Sequence, residues 1–243
     1  LHNWVFKKLN IQSEYEKIKV TEEELSEVFL KIKNDTLNGI NVTIPHKENI
    51  MEFLDEINPR AESIGSVNCI IKSNSKIIGN NTDWYGFSLA LKTNKIDVFD
   101  KEVIVLGAGG TSKSILYSLK QLSVKKIILL NRTLQKARAL QNEIIISYSL
   151  ENTESVIKND SIIINTTPIG MQSNQSPIDL GLLHKNQILI DVIYNPLETA
   201  FLKLGNKIGA KTLNGLDMFI YQALASLDLW FAGSVSKQVN FTQ

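Results

Sequence analysis

The chain has 243 residues and a mass of 27.3 kDa, long for one hydrophobic core and comfortable for two lobes. Hydrophobic residues make up 43% and charged residues 21%, which excludes disorder and fibrous repeats. The 26 Lys and Arg against 25 Asp and Glu leave a net charge of +1, so nothing points to nucleic acid or an anionic membrane, and a small-molecule partner fits better. A single cysteine, Cys69, permits no internal disulfide and no cysteine zinc site, so we expect a reducing cytoplasm and no metal. No run approaches the roughly 18 consecutive apolar residues of a membrane helix, and no basic-then-apolar leader follows Leu1.

In chain order, Trp4 to Leu9 reads as helical, Glu14 to Val20 alternates like a strand, and Thr21-Glu22-Glu23-Glu24 starts a helix that runs through Lys33. Gly39 to Ile44 reads as a strand stopped by Pro45, with Lys47 beginning the next helix. Val67 to Ile71 and Lys76 to Ile78 are β-rich runs joined by Ser73-Asn74-Ser75, a hairpin signal. From Lys101 the rhythm changes: the runs Val103 to Leu106, Ile127 to Leu130, Ile162 to Ile164 and Ile188 to Ile190 are separated by helical or loop segments. Continuous β-branched runs of this kind are what a parallel sheet covered on both faces requires. The last segment, Leu216 to Phe231, is apolar at helical spacing and is expected to return to the first lobe, leaving a cleft between lobes. The fold expected is therefore α/β: a small N-terminal α/β lobe over residues 1–83, completed by 215–243, and a doubly wound Rossmann-type lobe over 84–214.

Five clusters carry chemistry. Gly107-Ala108-Gly109-Gly110-Thr111-Ser112 follows a strand and opens the helix Lys113 to Leu122, where glycines let the backbone approach a pyrophosphate at the positive helix end. Alone, such a turn is often just a tight connection; its place between strand and helix favours a dinucleotide. The next strand ends at Asn131-Arg132-Thr133, where an NAD-binding unit would place an acid; Arg132, with Lys136 one helical turn on, would instead hold a 2′-phosphate, so NADP is favoured over NAD. In the first lobe Asn41 and Thr43 share one strand face, and Lys47 follows the Pro45 turn; with Asp83 of Asn81-Thr82-Asp83 it is a candidate proton donor and carboxylate. The plainer readings are a surface lysine and a helix cap. Asn165 to Met171 and Asp191 to Pro196 both leave buried strands at the end where open α/β sheets bind ligands. No nucleophile stands in a hydrolase elbow.

Together these segments, with Ser66-Val67-Asn68 and Asn214 to Gln222, resemble the shikimate dehydrogenase family in order along nearly the whole chain, and Asn-Val-Thr-Ile-Pro-His-Lys at 41–47 is especially specific. The resemblance implies reduction of 3-dehydroshikimate to shikimate with NADPH in aromatic amino acid biosynthesis. It implies that Lys47 is the catalytic lysine with Asp83 its partner, and that Asn41, Thr43, Asn68, Tyr194 and Gln222 contact ring hydroxyls. Gly107, Ala108, Gly109, Gly110 and Thr111 resemble the pyrophosphate turn, Asn131, Arg132, Thr133 and Lys136 the adenosine phosphate site, and Val192, Gly215 and Met218 the nicotinamide surroundings. Cys69, Asn80 and Ala223 depart from the family's usual Thr, His and Gly at flanking positions. The resemblance also implies a strand and a Ser-x-Ser-Pro segment ahead of Leu1-His2-Asn3. A quinate/shikimate dehydrogenase using NAD is the alternative within enzymes, and a non-catalytic binding module of the same fold the alternative outside them; Arg132 speaks against the first, and retention of both Lys47 and Asp83 against the second. A monomer and a homodimer are equally compatible with the sequence.

Overall fold

A computed structural model describes residues 1–233 and 235–239; the end of the expected 215–243 segment, residues 240–243, lies outside the described residues. The elements are α1 (His2–Lys8), α2 (Leu25–Lys33), β1 (Gly39–Asn41), β2 (Glu56–Ile57), α3 (Pro59–Ile64), β3 (Cys69–Ser73), β4 (Lys76–Asn80) and α4 (Asp83–Thr93), then β5 (Glu102–Leu106), α5 (Gly110–Gln121), β6 (Lys126–Asn131), α6 (Leu134–Arg138), β7 (Ile145–Ser149), α7 (Thr153–Val156), β8 (Ile162–Asn165), β9 (Ile188–Asp191), α8 (Ala200–Ile208), β10 (Lys211–Leu213), α9 (Leu216–Trp230) and α10 (Val235–Gln238). The chain divides into two compact units, one formed by Leu1–Gly86 together with the segment starting at Ile220, the other by Phe87–Phe219. Both divisions fall inside helices, α4 and α9.

The first unit holds a mixed sheet in the order β1-β3-β4-β2, antiparallel except for the β2·β4 pair. Asn74 and Ser75 both take positive φ, 49° and 64°, the requirement of a two-residue hairpin turn, and they join β3 to β4. The α2 face Leu25, Phe29 and Ile32 buries against Val67 and the sheet residues Ile70 and Ile77. A second cluster packs Val5 and Phe6 of α1 on Leu224 and Leu227 of α9, so the part of α9 from Ile220 onward joins the first unit.

Three expectations in this unit are corrected. Glu14 to Val20 forms no strand: the Asn3 side chain takes both the Tyr15 N–H (2.7 Å) and the Tyr15 carbonyl (2.9 Å), the groups a ladder would use. The strand read over Gly39 to Ile44 ends at Asn41, because after the Val42 N–H reaches the Asn68 carbonyl at 2.8 Å, the Thr43 carbonyl turns to accept the His46 N–H at 2.9 Å. Lys47 lies in that turn rather than in a helix, and the 3₁₀ segment begins only at Asn49; the Lys47 carbonyl is taken by the Val67 N–H at 2.8 Å instead of by a helical neighbour.

The second unit is an all-parallel sheet in the order β10-β9-β8-β5-β6-β7, the doubly wound arrangement, with the switch point between β5 and β8. Val103, Ile104, Val105 and Leu106 are all buried, which explains why this strand reads as a continuous apolar run. The two edge strands, β7 and β10, escape the sequence reading; each is half-exposed and polar at alternate positions or very short. Where β8 and β9 leave the sheet, the fully buried Asp191 carboxylate accepts from Asn165 Nδ2 (3.0 Å), the Ile193 N–H (3.1 Å) and Thr199 Oγ1 (2.7 Å). Burial raises its pKa from 3.8 to about 6, the hydrogen bonds only partly opposing it.

A raised native pKa means that this group's contribution to stability is complete below the unfolded value and is lost as pH rises through about 6. Between pH 5 and pH 7.5 the wild type should therefore lose about 1 to 2 kcal/mol relative to Asp191→Asn. Urea unfolding of both proteins at the two pH values measures this, and parallel curves would refute it.

Candidate active site

Around Lys47 and Asp83 several segments hold polar groups in a buried place. Asn58 caps α3 by accepting the Arg60 N–H at 3.0 Å, and Gly65 ends the helix at φ 69°, a left-handed conformation that costs glycine little. The chain then enters Ser66-Val67-Asn68 with all three residues buried. Asn81 accepts the N–H groups of Asp83 (3.1 Å) and Trp84 (3.4 Å), so capping of α4 falls to Asn81 and the Asp83 carboxylate is left for other partners. The plainer reading of Asp83 as a cap is thereby replaced, and that of Lys47 as a surface charge fails on its 8% exposure.

Lys47 Nζ donates to Asp83 Oδ2 at 2.6 Å, and Asn68 Nδ2 donates to Asp83 Oδ1 at 2.8 Å. Asn68 Nδ2 also lies 3.2 Å from Gln222 Oε1, and the Thr82 N–H donates to Asn68 Oδ1 at 2.6 Å. Asn41 Nδ2 donates to Ser226 Oγ at 2.9 Å, and Ser226 lies 3.1 Å from Thr82 Oγ1. The structure thus brings Asn41, Lys47, Asn68, Asp83 and Gln222 into one network, while Thr43 is exposed beyond the end of β1. Thr82, Ser226 and Tyr15, whose hydroxyl donates to Asn41 Oδ1 at 3.3 Å, belong to the network although sequence reasoning did not single them out. Ser226 had a signal: it sits four residues after Gln222, on the same helical face. Tyr194 lies in the second unit, half-exposed and stacked on Phe219 with ring centroids 4.2 Å apart.

In the second unit the turn after β5 places Gly107 at φ 106°, and a Cβ there would meet Thr166 Oγ1 at 2.7 Å. Around Gly109 nothing lies within 4 Å of the space a Cβ would take, and no side chain caps α5. Ser112 stands where the fingerprint has its third glycine; it is fully buried and its hydroxyl donates to the Gly107 carbonyl at 2.6 Å, fastening the turn. Ala108 is buried, and Gly110 and Thr111 form the first turn of α5. At the end of β6, Asn131 Nδ2 bridges to the Thr133 carbonyl at 2.8 Å, leaving Arg132, Thr133 and Lys136 exposed beside the strand end. An open glycine approach, an uncapped helix start and two cations fit a dinucleotide bearing a phosphate. Val192, Gly215 and Met218 line one small crevice of about 10 Å³ with Asp191 and Asn214. A Cβ on Gly215 would stand 2.1 Å from the Val192 carbonyl oxygen, so only glycine fits there. A larger cavity of about 370 Å³ lies along edge strand β10, lined by Glu198, Asn206 and Asp217 among others, and contains none of the residues expected to hold the cofactor. Among the described residues no group of His, Cys, Asp and Glu is placed to hold a metal.

The family model for the shikimate dehydrogenase substrate binding domain matches residues 1–70, and that for shikimate / quinate 5-dehydrogenase matches residues 88–176. The curated NADP(+)-dependent shikimate dehydrogenase of Bacillus cereus strain AH187 is 40% identical over 238 residues, covering 95% of this chain and 86% of its own. The crystal structure of shikimate dehydrogenase 1 from Peptoclostridium difficile superposes with a TM-score of 0.86 at 36% identity, covering 96% of this chain and 85% of its own. The enzyme from Thermus thermophilus, solved in complex with NADP(H) and shikimate, gives a TM-score of 0.84 at 29% identity and covers 95% and 87% respectively. With two family models spanning most of its length and a relative of this identity along nearly all of it, the chain belongs to the shikimate dehydrogenase family.

Proposed function

We propose that Lys47 is the proton donor, and Asp83 its orienting partner, in the NADP-dependent interconversion of 3-dehydroshikimate and shikimate, a step of aromatic amino acid biosynthesis. The observation that carries this reading is the buried Lys47–Asp83 pair at 2.6 Å within a network of neutral polar side chains. When bound, NADPH supplies the hydride that adds to the ketone carbon. The ketone oxygen then gains negative charge, and the Lys47 ammonium donates the proton that completes the hydroxyl, leaving a neutral amine to be recharged from solvent. Asp83, held at Oδ1 by Asn68, keeps the ammonium in one position throughout. In the reverse direction the neutral amine accepts the hydroxyl proton.

Asn41, Asn68 and Gln222 offer amide donors and acceptors for the ring hydroxyls, joined in our reading by Thr43 and Tyr194. In the second unit the Gly107 to Thr111 turn would hold the pyrophosphate, Asn131, Arg132, Thr133 and Lys136 the adenosine 2′-phosphate, and Val192, Gly215 and Met218 the nicotinamide. The absence of an acid at the end of β6 supports NADP over NAD. Burial of the free Cys69 thiol, pushed up to about 12 by desolvation, suits a reducing compartment, and we place the protein in the cytoplasm as a monomer or homodimer. Among the described residues no helix is long and apolar enough to cross a membrane. NADP reduction on adding shikimate, followed by absorbance with quinate and NAD as controls, tests the whole reading; reduction with quinate and NAD alone would replace it.

Lys47→Ala should lower turnover by roughly 10²- to 10⁴-fold, the usual worth of general acid-base catalysis, with NADP affinity unchanged. It also strands the buried Asp83 charge, so turnover is compared below both melting midpoints. Near-wild-type turnover would remove Lys47 from the mechanism.

Arg132→Ala should weaken NADP binding by about ten- to over a hundredfold, since hydrogen bonds to a charged phosphate are worth roughly 1.5 to 3 kcal/mol, and should leave NAD affinity almost unaltered. Titration of the variant with both dinucleotides decides the point; equal weakening would make Arg132 a structural residue.

A further inference from the structure

We propose that Asp191 is a positioning residue for the dinucleotide, its buried carboxylate locking the loop that bears Val192 and Tyr194 to the loop after β8, and through it to the glycine turn. The inference rests on the NADP reading of the second unit given above.

The connection can be followed atom by atom across three strand ends. Thr199 Oγ1 donates to Asp191 Oδ2 at 2.7 Å, and Asn165 Nδ2 donates to Asp191 Oδ1 at 3.0 Å. Asn165 Oδ1 in turn accepts the Thr167 N–H at 3.0 Å and the Thr167 hydroxyl at 2.7 Å. The neighbouring Thr166 donates twice to the Leu106 carbonyl at the end of β5, from its N–H at 2.9 Å and its hydroxyl at 2.6 Å. That hydroxyl is the atom a Cβ on Gly107 would strike. Asp191 is thus linked without a break to the residue that starts the glycine turn. On the other side, its Oδ1 accepts the Ile193 N–H at 3.1 Å, while Gly215 packs against the Val192 carbonyl. The Val192 backbone is fixed from both directions.

The chemistry of the group argues for such a role. Among the described residues its hydrogen-bond partners are all neutral, so the carboxylate is neither half of an ion pair nor, in the reading above, a participant in proton transfer. An unpaired buried carboxylate is costly, and a neutral side chain would connect two loops at lower cost. What a carboxylate does that an amide of the same shape does not is accept from three donors at once, with hydrogen bonds about twice as strong as neutral ones. Three donors from β8, from the loop after β9 and from the start of α8 are what it receives.

The test separates the two halves of the cofactor. In Asp191→Asn the amide nitrogen at the Oδ2 position donates instead of accepting, so the Thr199 hydroxyl must reverse its role and the charge-assisted bonds that fix the two loops are lost; NADP affinity should fall about tenfold, while 2′,5′-ADP, which reports only the adenosine end, should bind within twofold of wild type. Thr199→Val should move in the same direction, and Thr199→Ser, which keeps the hydroxyl, should restore wild-type binding. Equal weakening of NADP and 2′,5′-ADP, or wild-type NADP affinity and turnover in both Asp191→Asn and Thr199→Val, would overturn the inference. Failure of the wild type itself to bind 2′,5′-ADP would overturn instead the NADP reading on which it rests.

Discussion

Two opposite charges side by side in the interior, Lys47 Nζ 2.6 Å from Asp83 Oδ2, are tolerated only where attraction and further hydrogen bonds offset the loss of water, a loss of several kcal/mol for each ion. Much of the first unit meets that condition. The α3 end at Gly65 delivers Asn68 to the free carboxylate oxygen, Asn81 relieves Asp83 of capping, and the Lys47 backbone is fastened to Val67. The same asparagine ties in Thr82 and Gln222, so the pair and its surroundings are held as one unit. In the proposed reaction an ammonium so fixed would meet developing charge without reorganising, which is the source of much enzymatic rate enhancement.

The second unit solves a different problem with similar means. A parallel sheet ends in several loops at one edge, and a ligand laid across them needs the loops in register. Close packing supplies part of this: Gly107 and Gly215 are the positions where a Cβ would collide with Thr166 or with the Val192 carbonyl, so backbone meets its neighbour directly. Buried polar groups supply the rest, with Ser112 fastening the glycine turn and Asp191 collecting donors from a strand end, a loop and a helix start. At Ser112 the departure from the glycine fingerprint has a structural consequence. A hydroxyl where a third glycine is usual gives the turn a hydrogen bond to the Gly107 carbonyl.

Some features were legible in the residues because they depend on local chemistry. The strand-turn-helix around Gly107, the Asn74-Ser75 hairpin and the apolar runs of the central strands are set by backbone conformation and by burial on both faces, and these leave short-range signatures. The partners of Lys47 were legible by resemblance, since spacing alone left a surface lysine and a capping aspartate as ordinary readings. Edge strands β7 and β10 were not legible, because a strand buried on neither face fully carries no clear alternation. Glu14 to Val20 misled for the opposite reason: alternation proposes a strand, but a strand exists only where a neighbour takes its hydrogen bonds, and Asn3 takes those of Tyr15.

The sequence by itself determined the class of fold, the strand, glycine turn and helix around Gly107, and a cation at Arg132 where an acid could stand, since each is a property of side-chain chemistry at fixed spacing along the chain; the pairing of Lys47 with Asp83 was legible by resemblance and not by spacing. Tertiary structure alone decided that Lys47 is 8% exposed and lies 2.6 Å from Asp83, that Ser226 and Thr82 join them, and that Asp191 ties the end of β8 to the start of α8. Those relations join residues between 8 and 144 positions apart, and only packing brings such distant groups within hydrogen-bond reach.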